Sequence, residues 1–414
     1  MVLIPAKMGR INKRALLGRL QQVGRASRAD LAKSVGLSQP TAGKIADELL
    51  RLGVLEEDED VSPSAECAVK TADVRGKVGR PGRILRLDRS HPRFLAIQLG
   101  VSETKLAAMP IAADSEDRWA MVVKTPASAK TWVRRLQRAA SRIPQNDFWG
   151  VLVSVPGIVD EPRARVLFSP NLHWTEGLDL SVLLQQVWHA PVLLVQEERA
   201  LALGHQCVET KGDDFLLVDF GEGVGGAAIV AGKPYTNPLP LSGELGHTPV
   251  LGNRRKCGCG AAGCIETLVS MRGLLQSHAE TNPRIRPTWE SLCAKIQRTG
   301  IPGWLEETLD ATAVVISGAL NVLGLRRLIV TGTLTELPPA VMKYLAHAVV
   351  KGAMWARFGA VEVESAPRRR IAGLVAAGLD RLVLPMEERG GIDAAALGAV
   401  KSGRSLSGWL SYTE

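Results

Sequence analysis

The sequence predicts an α/β protein that begins with a small helical segment. From residue 93 onward, short apolar runs typical of strands alternate with amphipathic stretches typical of helices. Before residue 55, three short helical stretches follow one another and are separated by Gly24 and Gly36. The chain of 414 residues is longer than one ordinary core, so we expect roughly two to four domains.

Strand and helix signals alternate through the second part of the chain. The predicted strands span residues 84–87, 94–99, 150–155, 192–195, 215–220, 227–230 and 328–331. The predicted helices span residues 128–142, 178–189, 198–208, 267–279, 306–323, 338–352 and 371–384. A glycine-rich hairpin is predicted at residues 220–228.

Each of the three N-terminal helices has a start or stop signal. The first is predicted over residues 10–24. Its predicted buried side comprises Ile11, Ala15, Leu16 and Leu20. Ser27 and Asp30 have the spacing of a capping box for the second helix, and Ser38 caps the third. The third helix has a buried stripe of Ala42, Ile45, Ala46, Leu49 and Leu52. An extended segment from Gly53 completes the pattern of a winged helix-turn-helix.

The first 55 residues are strongly basic. They hold ten Lys/Arg and three Asp/Glu, so their net charge of +7 supplies most of the chain's +9. A compact basic segment is typical of phosphate binding, although a solubilising face has the same composition. The helix-turn-helix arrangement favours double-stranded DNA as the partner, because the third helix of such a motif fits a major groove about 12 Å wide.

Polar residues around the third helix are the predicted DNA contacts. Gln39 suits adenine, Lys44 suits guanine or a phosphate, and Gly43 allows a close backbone approach. Arg80, beside Pro81, fits a minor groove or, equally well, a tight turn before the strand at 84–87. The full predicted set is Arg28, Ser38, Gln39, Thr41, Gly43, Lys44 and Arg80. A generic three-helix bundle without DNA contacts is the alternative.

Three of the six cysteines cluster beside a histidine. His247 precedes Cys257, Cys259 and Cys264, and glycines separate the cysteines. One His and three Cys suit tetrahedral Zn²⁺, and the glycines let the loop fold around a small ion. We therefore expect one structural Zn²⁺ per chain, in preference to an iron–sulfur cluster or free surface thiols.

At this cluster the sequence resembles the ROK family of sugar kinases and the regulators derived from them. The matching elements are Gly243-Glu-x-Gly-His247, Cys257-x-Cys-Gly-x-x-Gly-Cys-x-Glu266, Val155-Pro-Gly-Ile-Val159, the hairpin Gly221–Gly226, and Ser169-Pro-Asn-Leu172 with Trp174. They follow the family's order over about residues 90–385. The resemblance implies an actin-like (ribonuclease H-like) fold of two lobes with a sugar in the cleft. The basic N-terminal segment adds a resemblance to the regulator branch, the relatives of the xylose and N-acetylglucosamine repressors.

Together these signals predict four parts. The winged helix-turn-helix with an acidic and Pro/Ser-rich linker is expected over 1–75, the first lobe over 76–200, the second lobe with the metal loop over 201–385, and a loosely attached tail over 386–414. No apolar run reaches membrane length and no signal-peptide core is present, so we expect a cytoplasmic protein. Because palindromic operators require two-fold symmetry, we expect a homodimer or a dimer of dimers.

The resemblance also implies which residues meet a sugar effector. In the family, the residues that match Glu244, His247 and Glu266 contact sugar hydroxyls, and His247 would bind metal through its other ring nitrogen. The predicted effector set is Asn171, Glu197, Glu198, Glu244, His247 and Glu266. Four carboxylates around one cavity repel an anion. We therefore expect a neutral sugar, an amino sugar or a bound cation rather than a phosphorylated sugar, unless the phosphate points away, towards an arginine such as Arg199. The alternative is that one or two of these glutamates point out of the cleft.

Departures from the kinase pattern decide between enzyme and regulator. Glu198 stands where family kinases carry the aspartate base, Gln98 replaces the aspartate of an Asp-x-Gly, and Glu222 lies in the phosphate hairpin. Gly332-Thr333 replaces a Gly-Gly pair in the adenosine region. We therefore expect no catalytic residue and no enzyme, but a DNA-binding regulator of carbohydrate metabolism, with repression the expected mode. The alternatives are an active sugar kinase with a DNA-binding module, or a regulator controlled by a protein that docks on the metal lobe.

Overall fold

The computed structural model describes residues 5–58, 83–112, 116–143, 147–209, 212, 214–236, 242–281 and 287–385. The chain divides into two compact units. The first comprises Met1–Phe94, Met109–Ala113 and Gly378–Glu414, and the second Leu95–Ala108 and Asp114–Ala377. Arg80, most of the predicted linker and the predicted tail lie outside the described residues. In the described part of the chain, no helix is both long and apolar enough to span a membrane.

Three helices form the core of the first unit. They are α1 (Pro5–Val23), α2 (Arg28–Ser34) and α3 (Gln39–Arg51). Their fully buried leucines are Leu16, Leu20, Leu31 and Leu49. The predicted buried side of α1 is wrong in part, because Ile11 and Ala15 are exposed and Leu17 is buried instead. At 100° per residue, Ile11 lies on the side of the helix opposite Leu16, Leu17 and Leu20.

The predicted helix caps are confirmed. The Ser27 hydroxyl accepts a hydrogen bond from the Asp30 amide at 3.1 Å, and the Ser38 hydroxyl accepts one from the Thr41 amide at 3.3 Å. Gly36 adopts a φ of 68°, which only glycine takes without cost, and so allows the tight turn between α2 and α3. These caps fix where α3 begins and therefore which residues its first turn exposes.

A three-stranded antiparallel sheet completes the first unit. Its strands are β1 (Arg25–Ser27), β2 (Leu55–Asp58) and β3 (Ile84–Leu87), in the order β1-β3-β2. The predicted boundary at residue 75 is therefore misplaced, because β3 pairs with the N-terminal strands rather than with the first lobe. The acidic run that we assigned to the linker begins inside β2, where Glu57 and Glu56 pair with Arg83 and Arg86 at 2.6 and 2.8 Å.

The second unit contains a first five-stranded sheet with the order β10-β7-β4-β5-β6. Its strands and the adjoining hairpin are β4 (Phe94–Leu99), β5 (Glu103–Met109), β6 (Met121–Lys124), β7 (Gly150–Val155), β8 (Ile158–Asp160), β9 (Arg165–Phe168) and β10 (Val192–Gln196). The helices α4 (Ala129–Ala140) and α5 (Leu180–Gln185) pack on it. Trp132 is fully buried in this core, where its indole N–H donates to Thr104 at 3.0 Å.

Helix α6 (Glu197–Val208) leads from β10 to a second five-stranded sheet with the order β13-β12-β11-β14-β15. Its strands are β11 (Phe215–Phe220), β12 (Val224–Val230), β13 (Lys233–Pro234), β14 (Arg327–Gly332) and β15 (Glu362–Ser365). The helices of this half are α7 (Glu266–Val269), α8 (Met271–Thr281), α9 (Trp289–Thr299), α10 (Gly303–Leu323), α11 (Pro339–Gly352) and α12 (Arg370–Gly378). The fold class predicted from the sequence is confirmed, although the expected lobe boundary at 200/201 falls inside α6.

Helices α6 and α12 cross with almost no space between their backbones. A methyl group at Gly204 would lie 1.8 Å from the Arg369 carbonyl oxygen, and one at Gly373 would lie 1.8 Å from the Ala200 carbonyl oxygen. No side chain fits at such distances, so both glycines are required for the crossing. The crossing holds the first turn of α12, which carries Arg370, beside α6.

We predict that Gly373→Ala will destabilise the protein by about 3 kcal/mol or more, because the added methyl group must push two backbones apart. Gly318→Ala is the matched control, since Gly318 is an exposed glycine of α10 with nothing near its Cβ position. The control should raise the free energy of unfolding by up to about 1 kcal/mol. Urea unfolding followed by circular dichroism measures both. Equal stability of the two variants would contradict the close approach of the α6 and α12 backbones at Gly373.

Candidate functional site

The predicted effector residues gather around the glycine-rich hairpin between β11 and β12. A methyl group at Gly223 would lie 3.0 Å from Glu266 Oε2 and 3.6 Å from Asn171 Nδ2. A methyl group at Gly225 would lie 2.6 Å from Glu198 Oε1. These three side chains therefore approach the hairpin backbone closely, and the glycines make room for them.

Glu244 and His247 lie at the two ends of one short turn, because Leu245–His247 forms a single 3-10 turn. His247 Nε2 lies 3.7 Å from Glu244 Oε2. Gln196, the last residue of β10, donates its side-chain N–H to Glu244 Oε1 at 3.4 Å. Glu266, which begins α7, accepts the backbone N–H of Val224 at 2.9 Å. Gln196 was not among the predicted residues, although its place at a strand end beside Glu197 was a usable signal.

Two of the clustered carboxyl groups have raised pKa values. Burial raises the pKa of Glu198 well above its ordinary value, and the charges of Glu197 and Glu244 raise it further. Burial also raises the pKa of Glu244 to about 7, with a further contribution from Glu266. The raised pKa values are the expected effect of the repulsion that we predicted among four carboxylates, and a carboxyl group that is protonated donates a hydrogen bond as well as accepting one.

Glu197 is engaged by neighbouring side chains. Arg370 donates to Glu197 Oε1 at 2.5 Å, and Gln98 donates to the same oxygen at 3.0 Å. Arg370 is only 3% exposed and also pairs with Asp117 at 3.2 Å. The carboxylate of Glu197 is therefore part of a buried ion-pair network, which joins β4, α6 and α12, and it differs in this respect from Glu198 and Glu244.

A second, half-buried arginine lies next to β11 and β14. Arg368 donates to both oxygens of Asp219 at 2.8 and 2.9 Å, and Thr331 donates to the same carboxylate at 2.6 Å. A methyl group at Gly221 or Gly332 would lie 2.8 or 2.6 Å from Arg368 Nη2. The guanidinium group thus lies directly between the hairpin and the end of β14. The sequence signal for these contacts was the run Arg368–Arg370, which we did not single out.

Glu222 joins the hairpin to the turn after β4. Its carboxylate accepts the backbone N–H of Ser102 at 3.2 Å and the Ser102 hydroxyl group. In the sequence, this glutamate looked unfavourable for a bound triphosphate. In the structure, it connects the two loops that surround this end of the cleft.

The four predicted metal ligands converge. The ligand atoms of His247, Cys257, Cys259 and Cys264 all lie within 4.8 Å of one another, so the cluster could hold a metal ion. His247 Nδ1 lies 3.5 Å from Cys257 Sγ, and the sulfur atoms of Cys259 and Cys264 are 3.7 Å apart. Because Nδ1 of His247 faces the cysteines while Nε2 faces Glu244, one imidazole ring belongs to both groups of residues.

The predicted DNA contacts fall into two groups. Ser38, Gln39, Thr41 and Lys44 are exposed at the start of α3, and the half-buried Gly43 has open space at its Cβ position. Arg28 instead pairs with Asp47 of α3 at 2.7 Å and lies 3.5 Å from Glu57 of β2. The first turns of α3 therefore present a polar surface, whereas the charge of Arg28 is largely neutralised.

Comparison with known proteins identifies relatives of both regulators and kinases. A putative xylose repressor from Caldicellulosiruptor sp. is 27% identical over 278 residues, which cover 65% of this chain and 66% of that protein. An N-acetylmannosamine kinase from Shigella boydii is 33% identical over 182 residues, which cover 44% of this chain and 62% of that protein. The chain thus spans about two-thirds or less of the length of these relatives.

Solved structures show the same fold. A ROK family transcriptional regulator, described as a homologue of the E. coli MLC protein, superimposes with a TM-score of 0.69 at 18% identity and covers 92% of this chain and all of that one. A ROK family glucokinase from Streptomyces griseus, in complex with glucose and AMPPNP, has a TM-score of 0.57 at 22% identity and covers 69% of this chain and 97% of that one.

The family model described as ROK family matches residues 94–377, which is more than half of the chain. This match includes the two five-stranded sheets, the hairpin, the carboxylate cluster and the His/Cys cluster. The chain therefore belongs to the ROK family.

Proposed function

We propose that this protein is a DNA-binding transcription regulator whose ROK domain binds a sugar-type effector without phosphorylating it. The observation that carries the proposal is the position of Arg368: it pairs with Asp219, and its guanidinium group lies against Gly221 and Gly332, where the nucleotide end of a family kinase's cleft would be. Repression is the favoured mode, because xylose repressors are among the relatives.

The first unit supplies the DNA-binding surface. Its third helix is capped by Ser38 and exposes Gln39, Thr41 and Lys44 within its first two turns. Side-chain amides and ammonium groups at the N-terminal end of such a helix reach base edges in the major groove. A palindromic operator would require two copies of this surface, so a homodimer or a dimer of dimers is part of the proposal.

Asn171, Glu244, His247 and Glu266 form the proposed effector site. They offer an amide, two carboxyl groups and an imidazole around the hairpin, a set that matches the hydroxyl groups of a sugar. The raised pKa of Glu244 reduces the negative charge of the site. A neutral or amino sugar is the favoured class, since none of these four residues is a lysine or arginine that could hold a phosphate group.

An active sugar kinase is the second candidate, because kinases are among the relatives. Three features disfavour it. A general base works best when it is ionised near neutral pH, whereas burial and the charges of Glu197 and Glu244 raise the pKa of Glu198 and so disfavour its ionised form. Gln98 binds Glu197 and is not free to hold a metal–nucleotide complex. The Arg368 guanidinium lies against Gly221 and Gly332, where the family's hairpin and adenosine regions meet.

The His/Cys cluster is proposed to hold one structural Zn²⁺. Four ligands at about 2.3 Å for sulfur in tetrahedral geometry place two sulfur atoms about 3.7 Å apart, which is the distance between Cys259 and Cys264. Bound Zn²⁺ would fix the His247 ring and thereby orient the Nε2 atom that faces Glu244. A protein partner on the metal lobe, the remaining alternative, has no supporting observation among the described residues.

We predict that the purified protein contains one Zn²⁺ per chain and that Cys259→Ser lowers both its zinc content and its melting temperature, because metal binding and folding of the loop are linked. Cys293→Ser is the matched control, since Cys293 lies in α9 and outside the cluster. Elemental analysis and thermal unfolding measure the two effects. Full-length wild-type protein without zinc would refute this assignment.

We also predict that the full-length protein binds an operator duplex and that Gln39→Ala with Lys44→Ala lowers discrimination between operator and random DNA by about 10-fold or more. Lys33→Ala is the control, because Lys33 is exposed on α2 and outside the predicted reading surface. Fluorescence anisotropy with labelled duplexes gives the affinities.

The same assay tests effector control. A panel of neutral sugars, amino sugars and sugar phosphates should contain a compound that changes operator affinity, and Glu266→Gln should abolish its effect because Glu266 contacts the hairpin directly. Unchanged discrimination in the α3 variant, or sugar-dependent phosphate release from ATP, would contradict the proposed function.

A further inference from the structure

The chain contains a second basic segment, in the first lobe of the ROK domain. Residues 118–146 hold seven Lys/Arg and no Asp/Glu, so their net charge of +7 equals that of the first 55 residues. The cations are Arg118, Lys124, Lys130, Arg134, Arg135, Arg138 and Arg142. Neither the effector site nor the reading helix α3 accounts for this segment.

Three of these cations lie on the exposed side of α4. Lys130, Arg134 and Arg138 follow one another at four-residue intervals, and Arg142 lies in the turn just after the helix ends at Ala140. All four are exposed. At 1.5 Å per residue, the three helical cations extend about 12 Å along the helix axis. We call these four residues the α4 basic face.

The opposite side of α4 fixes this face in place. Trp132 and Leu136 are fully buried, and Val133 and Ala139 are nearly so. The Trp132 indole N–H is held by Thr104 of β5. The helix therefore cannot rotate to hide its cations, and the α4 basic face is a fixed feature of the surface.

No ion pair involves the α4 basic face in the part of the chain that the structure describes. Among the residues of α4 itself there is no acid. Like charges four residues apart destabilise a helix, so the cations oppose one another unless an external anion neutralises them. This arrangement calls for a polyanionic partner.

The chemistry of the face favours a phosphate backbone over a membrane or a protein. A helix that inserts into a membrane surface needs a free apolar side, but that of α4 is buried in the lobe. Protein interfaces depend on aromatic and aliphatic anchors, and the α4 basic face has none. Arginine, which forms three of its four residues, binds phosphate oxygens through paired N–H donors.

We propose that the α4 basic face is a second DNA contact, which binds the phosphate backbone without reading its sequence. The inference rests on the proposed function, because α3 would bring the duplex to the protein and so raise its local concentration. Backbone contacts add affinity and salt dependence but no base preference. The face should therefore increase the affinity for DNA of any sequence.

The test compares three full-length proteins on labelled duplexes of about 20 and about 60 base pairs. The variant of interest combines Arg134→Gln, Arg138→Gln and Arg142→Gln. The control combines Arg298→Gln in α9 with Lys343→Gln and Lys351→Gln in α11. It removes three exposed positive charges, the same number as the α4 variant. Affinities are measured between about 50 and 200 mM salt, because each lost phosphate contact lowers the slope of log Kd against log salt by about 0.9.

For the α4 variant we expect a slope lower by about 2 to 3 and at least a roughly 10-fold loss of affinity for random-sequence DNA on the longer duplex. The control variant should retain the wild-type slope. Equal slopes for the two variants would overturn the proposal. So would loss of binding to phosphatidylserine vesicles by the α4 variant with unchanged DNA binding, which would assign the face to a membrane.

The Gln39→Ala, Lys44→Ala variant separates this proposal from the proposed function. Suppose that this variant keeps full preference for the operator while the α4 variant shows a lower slope of log Kd against log salt. The proposal that α3 reads the operator sequence is then wrong, and the proposal that the α4 basic face binds the DNA backbone stands. If the Gln39→Ala, Lys44→Ala variant instead loses operator preference while the α4 and control variants behave alike, the proposed function stands and the α4 contact is wrong.

Discussion

Two arginines from one short run of sequence, the half-buried Arg368 and the buried Arg370, hold together the residues around the hairpin and the carboxylate cluster. Arg368 binds Asp219 at the end of the second sheet, and Arg370 binds Glu197 and Asp117 near the first. Burial alone would raise the pKa of Asp219, but the charge and hydrogen bonds of Arg368 hold it below its usual value. Arg370 is the buried arginine of the two, and removal of one partner of a buried pair costs about 3–5 kcal/mol, because the other charge remains buried and unpaired.

The position of these arginines depends on the crossing of two helices. Arg370 is the first residue of α12, and the backbones of α12 and α6 meet at Gly373 and Gly204. Glu197 and Glu198 begin α6, so the same crossing sets the distance from the arginine to the carboxylate cluster. Arg370 pairs with Glu197, whereas burial and neighbouring carboxylates raise the pKa of Glu198. Adjacent glutamates in one helix turn thus have different electrostatic surroundings.

Sequence reasoning succeeded where the signal is local. The caps at Ser27 and Ser38, the hairpin at residues 220–228 and the four residues of the His/Cys cluster each depend on side chains within about 20 positions of one another. The family follows from short motifs in a fixed order, and the family match confirms it. The roles of individual residues in DNA and effector binding remain predictions.

Sequence reasoning failed where two contacting residues or strands are distant from each other in the chain. Arg368 and Asp219 are separated by 149 residues, and Arg370 and Glu197 by 173, so no spacing rule connects them. Strand β3 joins the N-terminal sheet although its partner β2 ends 26 residues earlier, and composition gives no register for such a pairing. The buried side of α1 was assigned partly to the wrong residues, because apolar residues occur on both sides of that helix.

The central claim of the proposed function is that Arg368 occupies the place where a family kinase would hold its nucleotide. Isothermal titration of the full-length, zinc-loaded protein with Mg²⁺–ATP, before and after saturation with the sugar that binds most tightly, tests it directly. The account predicts no measurable ATP binding in either state, and sugar affinity that is the same with and without ATP. ATP binding at micromolar concentration, or sugar phosphorylation with a turnover of about 1 s⁻¹ or more, would contradict it.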